Sequence, residues 1–357
     1  MKIVLVIPSM GSGGAERVLS ILVNQWAKKS DCLVNLIILS RGPVFYDIDP
    51  RVSVHKLGYV GGGGWIAKFS GALCGGLKFR RFIKSNQPDV VLSFIREANI
   101  FTLFFTRYLG VKVVISERDS AKAVVGRLYS YLRRLTYPWA DGIVVQSEHY
   151  KNSIEEIIGF AKAKVKVIHN PVKKIENRQV PKEPIVVNVG RLIREKGQLY
   201  LLRAFKETKC GSDWRLVILG DGALKSDLVA EADRLQILDR VDFIGATKDV
   251  DYWLNISSIF AFSSVSEGFP NALAEAMSAG LPCVSFNCIA GPSDLITDGV
   301  DGFLVDVGDI ALMANRLDEL MSSADLREKL SNAARLVAKK LDAEKISEEY
   351  YSFLLLV

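Results

Sequence analysis

The sequence predicts an α/β protein made of two successive doubly wound domains, each built on a parallel sheet. Three observations lead there. The chain has 357 residues, 49% of them hydrophobic and 24% charged, which suits two globular domains of ordinary size. Short apolar runs alternate with helical patterns along its whole length, and that alternation implies parallel strands with helical crossovers. It is interrupted between His169-Asn170-Pro171 and Pro184, where NPVKKIENRQVPKEP is polar and punctuated by proline, the best place for a linker. The expected division is residues 1–172 and 173–342, with a last helix over 343–357 returning to the first domain.

In the first half, Lys2–Pro8 is an apolar run that ends in the glycine turn Gly11-Ser12-Gly13-Gly14. Ala15–Lys28 follows with Val18, Leu22, Val23 and Trp26 at helical spacing. Strand, turn and helix in that order invite a phosphate-binding reading, but Glu16 stands where G-x-G-x-x-G needs its third glycine. A tight strand-to-helix turn would use the same glycines. Leu33–Leu39, Val52–Leu57, Val90–Phe94, Val111–Ser116 and Gly142–Gln146 read as further strands. In the second half the strands are Ile185–Val189, Arg215–Leu219, Val241–Ile244, Ile259–Ser263, Pro282–Phe286 and Phe303–Val305. Ligands of such sheets sit beyond the carboxyl ends of the strands.

Charge is unevenly divided. Residues 1–175 hold 26 Lys+Arg against 12 Asp+Glu, a net of +14; the remainder holds 20 against 28, a net of −8, and the two sum to the +6 of the whole. A basic half of this size points to an anionic partner, nucleic acid or an anionic membrane leaflet. No nucleic-acid module is recognisable. A basic amphipathic helix is predicted up to Lys84, with Trp65, Ile66, Phe69, Leu73, Leu77 and Phe79 as apolar surface and Lys68, Lys78, Arg80, Arg81 and Lys84 as charge. The same pattern also fits a helix packed on the core with its basic face in water. RLYSYLRRLTYPW, Arg127–Trp139, interleaves arginines with tyrosines as membrane-interface belts do.

Five cysteines, Cys32, Cys74, Cys210, Cys283 and Cys288, are odd in number and include no C-x-x-C pair, which favours a reducing compartment. Three dispersed histidines assemble no zinc site. The apolar run Ile3–Ile7 is too short for a secretory signal. The richest apolar stretch, Ala98–Leu109, is about half the length that crosses a bilayer.

The most informative stretch is SVSEGFPNALAEAMSAGLPCV, Ser264–Val284. Glu267 lies in a turn and Glu275 follows eight residues on, in a predicted helix that Pro270 opens and that Gly280 and Pro282 close. A helix N-terminus has free N–H groups and a partial positive charge, so it suits a phosphate. A diphosphate there, flanked by carboxylate acceptors for hydroxyls, is the shape of a nucleotide-sugar site.

Glu267-(seven residues)-Glu275 around GFPNALAEAM resembles the E-x7-E motif of retaining GT-B glycosyltransferases of family 4. SFNCIAGPSDLI (Ser285–Ile296), VGRLIREKG (Val189–Gly197) and the N-terminal GSGGAER (Gly11–Arg17) are similar to further motifs of that family, in order and in both halves. The resemblance implies the GT-B fold, with two Rossmann-like domains facing a central cleft, an N-terminal acceptor-binding domain and a C-terminal nucleotide-sugar-binding domain.

The resemblance also implies roles. Arg191 and Lys196 match the family's diphosphate clamp, which neutralises the leaving group without a metal ion or other cofactor. Arg presents a fixed fork to phosphate oxygens and Lys a mobile point charge. Glu267 would contact donor-sugar hydroxyls and Glu275 the ribose. Phe269, Pro270, Asn271, Ala272 and Leu273 would meet the donor at the helix start. Gly220, in Gly220-Asp221-Gly222, resembles the turn near the nucleotide, and Gly13 and Gly14 the pair facing the donor diphosphate and the acceptor. The triplets Asp47-Ile48-Asp49 and Asp249-Val250-Asp251 lack the pattern of a metal-binding D-x-D. The sequence departs from the family in ISERDSA, Ile115–Ala121, where many members have His, and Asp294 stands where Glu is usual. Glu117 is the candidate for the group at the reacting centre, and a subset of members acting on lipid-linked oligosaccharides carries a similar S-E-R.

The expectation is therefore a retaining transferase that moves a hexose or N-acetylhexosamine from a UDP-sugar to a polyprenyl-diphosphate-linked glycan acceptor. It would work peripherally on the cytoplasmic membrane's inner face, in cell-surface polysaccharide or glycoprotein glycan assembly. The alternatives are a nucleotide-sugar epimerase of the same fold and a non-catalytic nucleotide-sugar-binding subunit of a transferase complex.

Overall fold

In a computed structural model the chain forms two compact units, Met1–Pro171 with Ala343–Val357, and Val172–Asp342. The structure describes all residues except 61–64, 119–126, 160–162, 173–174, 176–179, 210–212 and 290, and excepting the side chains of 59–60, 65–70, 72, 127 and 337–338.

The first unit is a seven-stranded parallel sheet in the order β3-β2-β1-β4-β5-β6-β7. Its strands are β1 Lys2–Ile7, β2 Leu33–Ser40, β3 Ser53–Val60, β4 Val90–Phe94, β5 Lys112–Ser116, β6 Gly142–Val145 and β7 Lys164–Val167. The helices are α1 Gly14–Trp26, α2 Trp65–Asn86, α3 Arg96–Thr106, α4 Arg127–Thr136 and α5 Glu148–Ile158. Val90–Phe94 runs with the limits read from the sequence, because it is buried on both faces. β7, KVKV, was not foreseen: it is a four-residue strand at the sheet's edge with no fully buried residue, so it lacks the apolar run that betrays the others. The last helix, Ala343–Leu356, completes this unit. Its Tyr350, Tyr351, Phe353 and Leu354 join Trp26, Leu22 and Leu5 in one core, and the Trp26 indole donates to the Ser347 carbonyl at 3.2 Å.

The second unit is a six-stranded parallel sheet in the order β10-β9-β8-β11-β12-β13. Its strands are β8 Ile185–Val189, β9 Arg215–Leu219, β10 Val241–Gly245, β11 Ile259–Phe262, β12 Cys283–Phe286 and β13 Phe303–Val305. Between them lie α6 Gln198–Glu207, α7 Lys225–Arg234, α8 Val250–Ile256, α9 Asn271–Ser278, α10 Pro292–Leu295, α11 Ile310–Ser322 and α12 Ala324–Lys340; the last helix of the chain is α13. Alternate residues of one strand feed two cores: Val186 packs with Leu201 and Phe205, whereas Ile185 and Val187 pack with Leu273 and Met277. β8 is the hinge of the topology, with β9 on one side and β11 on the other. A crevice opens at the carboxyl ends of strands where the winding reverses in this way.

The basic helix of the first unit is divided by its packing. Phe79 is fully buried, while Leu73 and Leu77 are exposed. Arg80 does not belong to the solvent-facing charge: its Nη1 donates to the carbonyls of Phe105 and Arg107, both at 2.9 Å, and so caps the end of α3. Lys78, Arg81 and Lys84 are exposed. Trp65, Ile66, Lys68 and Phe69 lie outside the residues whose side chains are described. The belt Arg127–Trp139 is divided too, since Arg133 and Tyr137 point inward. Among the described residues no helix is long and apolar enough to cross a membrane.

Candidate functional site

The second unit brings most of the predicted site residues to the carboxyl ends of three adjacent strands, β9, β8 and β11. After β8 the chain makes a short 3-10 turn, Arg194–Lys196, before α6. After β11 it makes the turn that holds Glu267 and enters α9. Two backbone ties join these loops: Val265 N donates to the Glu195 carbonyl at 2.9 Å, and Ser263 Oγ donates to the Lys196 carbonyl at 2.9 Å. The approach needs a glycine. Gly197 has φ +62°, and a Cβ there would stand 2.1 Å from the Ser263 carbonyl oxygen.

These ties place Lys196 Nζ 2.6 Å from Glu267 Oε1, with side chains only 21% and 9% exposed. Arg191 is exposed and forms no ion pair among the described residues. Its backbone is fixed instead: Gln198 Nε2 donates to the Arg191 carbonyl at 3.1 Å. The turn after β9 closes on the same loop. Gly220 has φ +135°, and a Cβ would meet the Gly190 carbonyl oxygen at 2.0 Å, so this backbone packing admits only glycine. Leu192 N donates to the Asp221 carbonyl at 3.0 Å.

Pro270 is the N-cap of α9 and has no side-chain partner in that role, so the helix end presents Asn271, Ala272 and Leu273 as its first residues. Phe269 and Leu273 are buried supports, while Asn271 and Ala272 are part exposed. Gly291, φ +133°, packs so closely on Pro270 that a Cβ would lie 2.3 Å from its Cδ. The segment after β12 thereby braces the helix start. Glu275 is 6% exposed and lies one turn inside α9. Asp294 is exposed, in the short α10.

Sequence reasoning missed three residues here. Ser263 and Gln198 hold the loop backbones, and no spacing rule singles them out. Cys288, 2% exposed, lies beside the ion pair. Burial first, then the Glu267 carboxylate, push its thiol up to about 12, against the opposing pull of Lys196. It is therefore a neutral, apolar wall of the site and not a nucleophile.

The first unit's candidates are placed differently. Gly13, φ −76° and ψ 164°, is the N-cap of α1. Glu16 folds its carboxylate over it: a Cβ on Gly13 would stand 2.3 Å from Glu16 Oε2. The helix end that Gly13 and Gly14 open already has a negative charge against it, which competes with an incoming phosphate. Glu117 is enclosed by its surroundings. It is 3% exposed, accepts a hydrogen bond from the Tyr137 hydroxyl at 2.5 Å, and pairs with Arg133 Nη2 at 3.2 Å. A carboxylate paired in the interior in this way anchors α4 beside β5. Its neighbour Arg118 donates to Ser116 Oγ, to Asn170 and, at 2.8 Å, to the Tyr350 hydroxyl, tying β5 to α13. Asp49 of the first D-x-D triplet is held well below the usual carboxylate range by hydrogen bonds from the side chain and backbone of Arg51.

Comparison with known proteins bears on this arrangement. Residues 171–337 match the family model "Glycosyl transferases group 1", and residues 12–174 match "Glycosyltransferase Family 4". An uncharacterized glycosyltransferase of Haemophilus influenzae is 30% identical over 99% of both chains. A Campylobacter jejuni α-1,4-N-acetyl-D-galactosaminyltransferase, whose name gives a diNAcBac-PP-undecaprenol-linked glycan as its substrate, is 27% identical over 98% of this chain and 97% of its own. Among solved structures, Anabaena HepE in complex with UDP superposes with a TM-score of 0.83 at 19% identity, each chain covered completely; at that identity the likeness is one of fold, GT-B. The chain belongs to the group 1 and family 4 glycosyltransferases.

Proposed function

We propose that this glycosyltransferase moves a sugar from a UDP-sugar to a polyprenyl-diphosphate-linked glycan, with retention of the anomeric configuration and without a metal ion. The observation that supports it most is the Lys196–Glu267 pair at 2.6 Å beside the exposed Arg191, at the reversal point of the second sheet. UDP is favoured as the nucleotide because HepE was solved with UDP and with UDP-glucose. The lipid-linked acceptor is favoured by the names of two Campylobacter relatives, 27% and 28% identical over nearly the whole chain, both of which act on undecaprenyl-diphosphate glycans.

In this reading the bond between the sugar's C1 and the β-phosphate oxygen breaks, and its electron pair leaves on the diphosphate. Arg191, Lys196 and the first N–H groups of α9 oppose the charge that develops there. The acceptor hydroxyl forms the new bond to C1 from the same face, and its proton passes to the departing phosphate oxygen. Glu267 holds donor-sugar hydroxyls while steadying Lys196, and Glu275 receives the ribose hydroxyls. With Arg191, Lys196 and a helix end supplying positive charge, no metal or other cofactor is required.

The acceptor is anchored in a bilayer, and the first unit has a surface that suits one. α2, α3 and α4 pack in succession, and they leave apolar side chains in solvent: Leu73 and Leu77 on α2, Phe104 on α3 with Tyr108 in the turn after it, and Leu128 and Tyr131 on α4. Lys78, Arg81, Lys84 and Arg134 are exposed on the same helices. We place this face against the anionic inner leaflet, where the enzyme works peripherally in cell-surface glycan assembly.

A panel of UDP-sugars, with and without a polyprenyl-diphosphate-sugar, tests the proposal. UDP release that requires the acceptor supports it. Epimerisation without an acceptor, or binding without turnover, refutes it in favour of the epimerase or the non-catalytic subunit.

A further inference from the structure

The second unit has a cavity at the end of its sheet opposite the candidate site. Pro184, Trp214, Ser258 and Pro282 each directly precede a strand, β8, β9, β11 and β12 in turn, and together they form its floor. The first two turns of α12 close it with Arg327, Glu328 and Ser331. Its volume is about 400 Å³, within the range of small-molecule sites.

The electrostatics of the cavity are unbalanced. Lys182 lines it, and its Nζ donates to the Leu254 carbonyl at 3.3 Å. Arg327 lines it as well; its Nη1 donates to the Leu320 and Met321 carbonyls, and its guanidinium lies 5.5 Å from the Trp214 ring centroid. Arg335, one turn further along α12 than Ser331, packs against Gly280, itself part of the wall. None of these three cations forms an ion pair among the described residues. Lost hydration first, then repulsion from Arg335, lower Lys182 to about 8, the response of an amine that lacks a counter-ion. Glu328 is the single carboxylate in the lining, and it is exposed.

We propose that this cavity is a second ligand site, which takes a sugar phosphate. Its phosphate lies between Lys182 and Arg327, where it relieves the cation excess, and its ring lies against Trp214. Nothing in the glycosyl transfer uses these residues, so the site stands independently of the proposed donor site in the same unit.

Calorimetric titration of the full-length protein with glucose 1-phosphate, in saturating UDP, tests it. Wild type should bind, and Lys182→Gln should weaken binding at least tenfold. Arg335→Gln, which leaves the lining intact, should weaken it about threefold; Lys196→Ala should change nothing. Inorganic phosphate should bind about tenfold more weakly than the ester, because it gains nothing from Trp214. Affinity should fall between pH 7 and pH 9, as Lys182 of the free protein, beside Arg327, Arg335 and Glu328, loses its proton. No binding by folded wild type overturns the proposal, as does unchanged binding by folded Lys182→Gln. Loss of binding in Lys196→Ala also overturns it, since the ester would then occupy the donor site.

Discussion

Lys196 and Glu267 stand 71 positions apart in the chain, and their side chains meet at 2.6 Å. The contact is not left to side-chain flexibility. Ser263 and Val265, ahead of Glu267 on its own loop, grip the carbonyls of Lys196 and Glu195. An ion pair whose two backbones are tied together keeps its ammonium in place at little further entropic cost, and this is the kind of preorganised charge that stabilises a departing diphosphate.

The first expectation concerns that charge. Lys196→Ala or Arg191→Ala should lower turnover by roughly 10²–10³-fold, the scale for removing one preorganised stabiliser. Thermal unfolding should remain cooperative, because Arg191 is exposed and Lys196 is part exposed. Steady-state kinetics beside a melting curve checks both statements; near-normal turnover in both variants would remove the clamp.

Gly197→Ala probes the loop tie. The left-handed backbone costs an L-residue about 1–2 kcal/mol, and the new Cβ would collide with the Ser263 carbonyl. A melting temperature lower by several degrees is expected, in line with about 2–4 °C per kcal/mol for a domain of this size. Turnover should drop with it, as Lys196 moves away from Glu267. Ser263→Ala should show a smaller version of the same pattern, and Ser263→Thr, which keeps the hydroxyl, should recover most of it.

Metal removal should matter little. If Arg191, Lys196 and the start of α9 supply the positive charge, EDTA leaves most of the activity intact. Activity that needs added Mg²⁺ or Mn²⁺ would argue for a metal-bound diphosphate instead.

Membrane attachment is tested on the outward side of α2 and α4. Arg81, Lys84 and Arg134 changed to Glu should weaken binding to anionic liposomes, at about 1 kcal/mol for each cation near the surface. Wild-type binding should fall with salt as the exposed charges are screened. Arg80 must be spared, because it caps α3. The triple variant should raise the apparent KM for a long-chain lipid acceptor more than for a short soluble analogue. An equal rise for both acceptors would contradict the membrane face.

The strands were legible in the sequence because doubly buried parallel strands are continuous apolar runs; Val90–Phe94 and Ile185–Val189 match to the residue. β7 was not, since an exposed KVKV edge has no such run. Within the site, the motifs singled out Lys196 and Glu267 separately, and their meeting was not foreseen. Ser263, Gln198 and Cys288 act through backbone carbonyls or as a wall, and short-range patterns have no signature for that. The surroundings of Glu117 were not legible either. Its place in a suggestive S-E-R gave no sign that Arg133 and Tyr137, 16 and 20 residues on, would enclose it. Arg80 likewise looked like one more cation of a basic face until the end of α3 came to rest on it.

The most direct measurement is the NMR anomeric coupling of the sugar newly attached to a short-chain polyprenyl-diphosphate acceptor, from an α-linked UDP-sugar. Wild type should form a lipid product extended by one sugar in α linkage, and Lys196→Ala should form far less of it. A β-linked product, or a donor consumed with the lipid unextended, would contradict the proposed transfer.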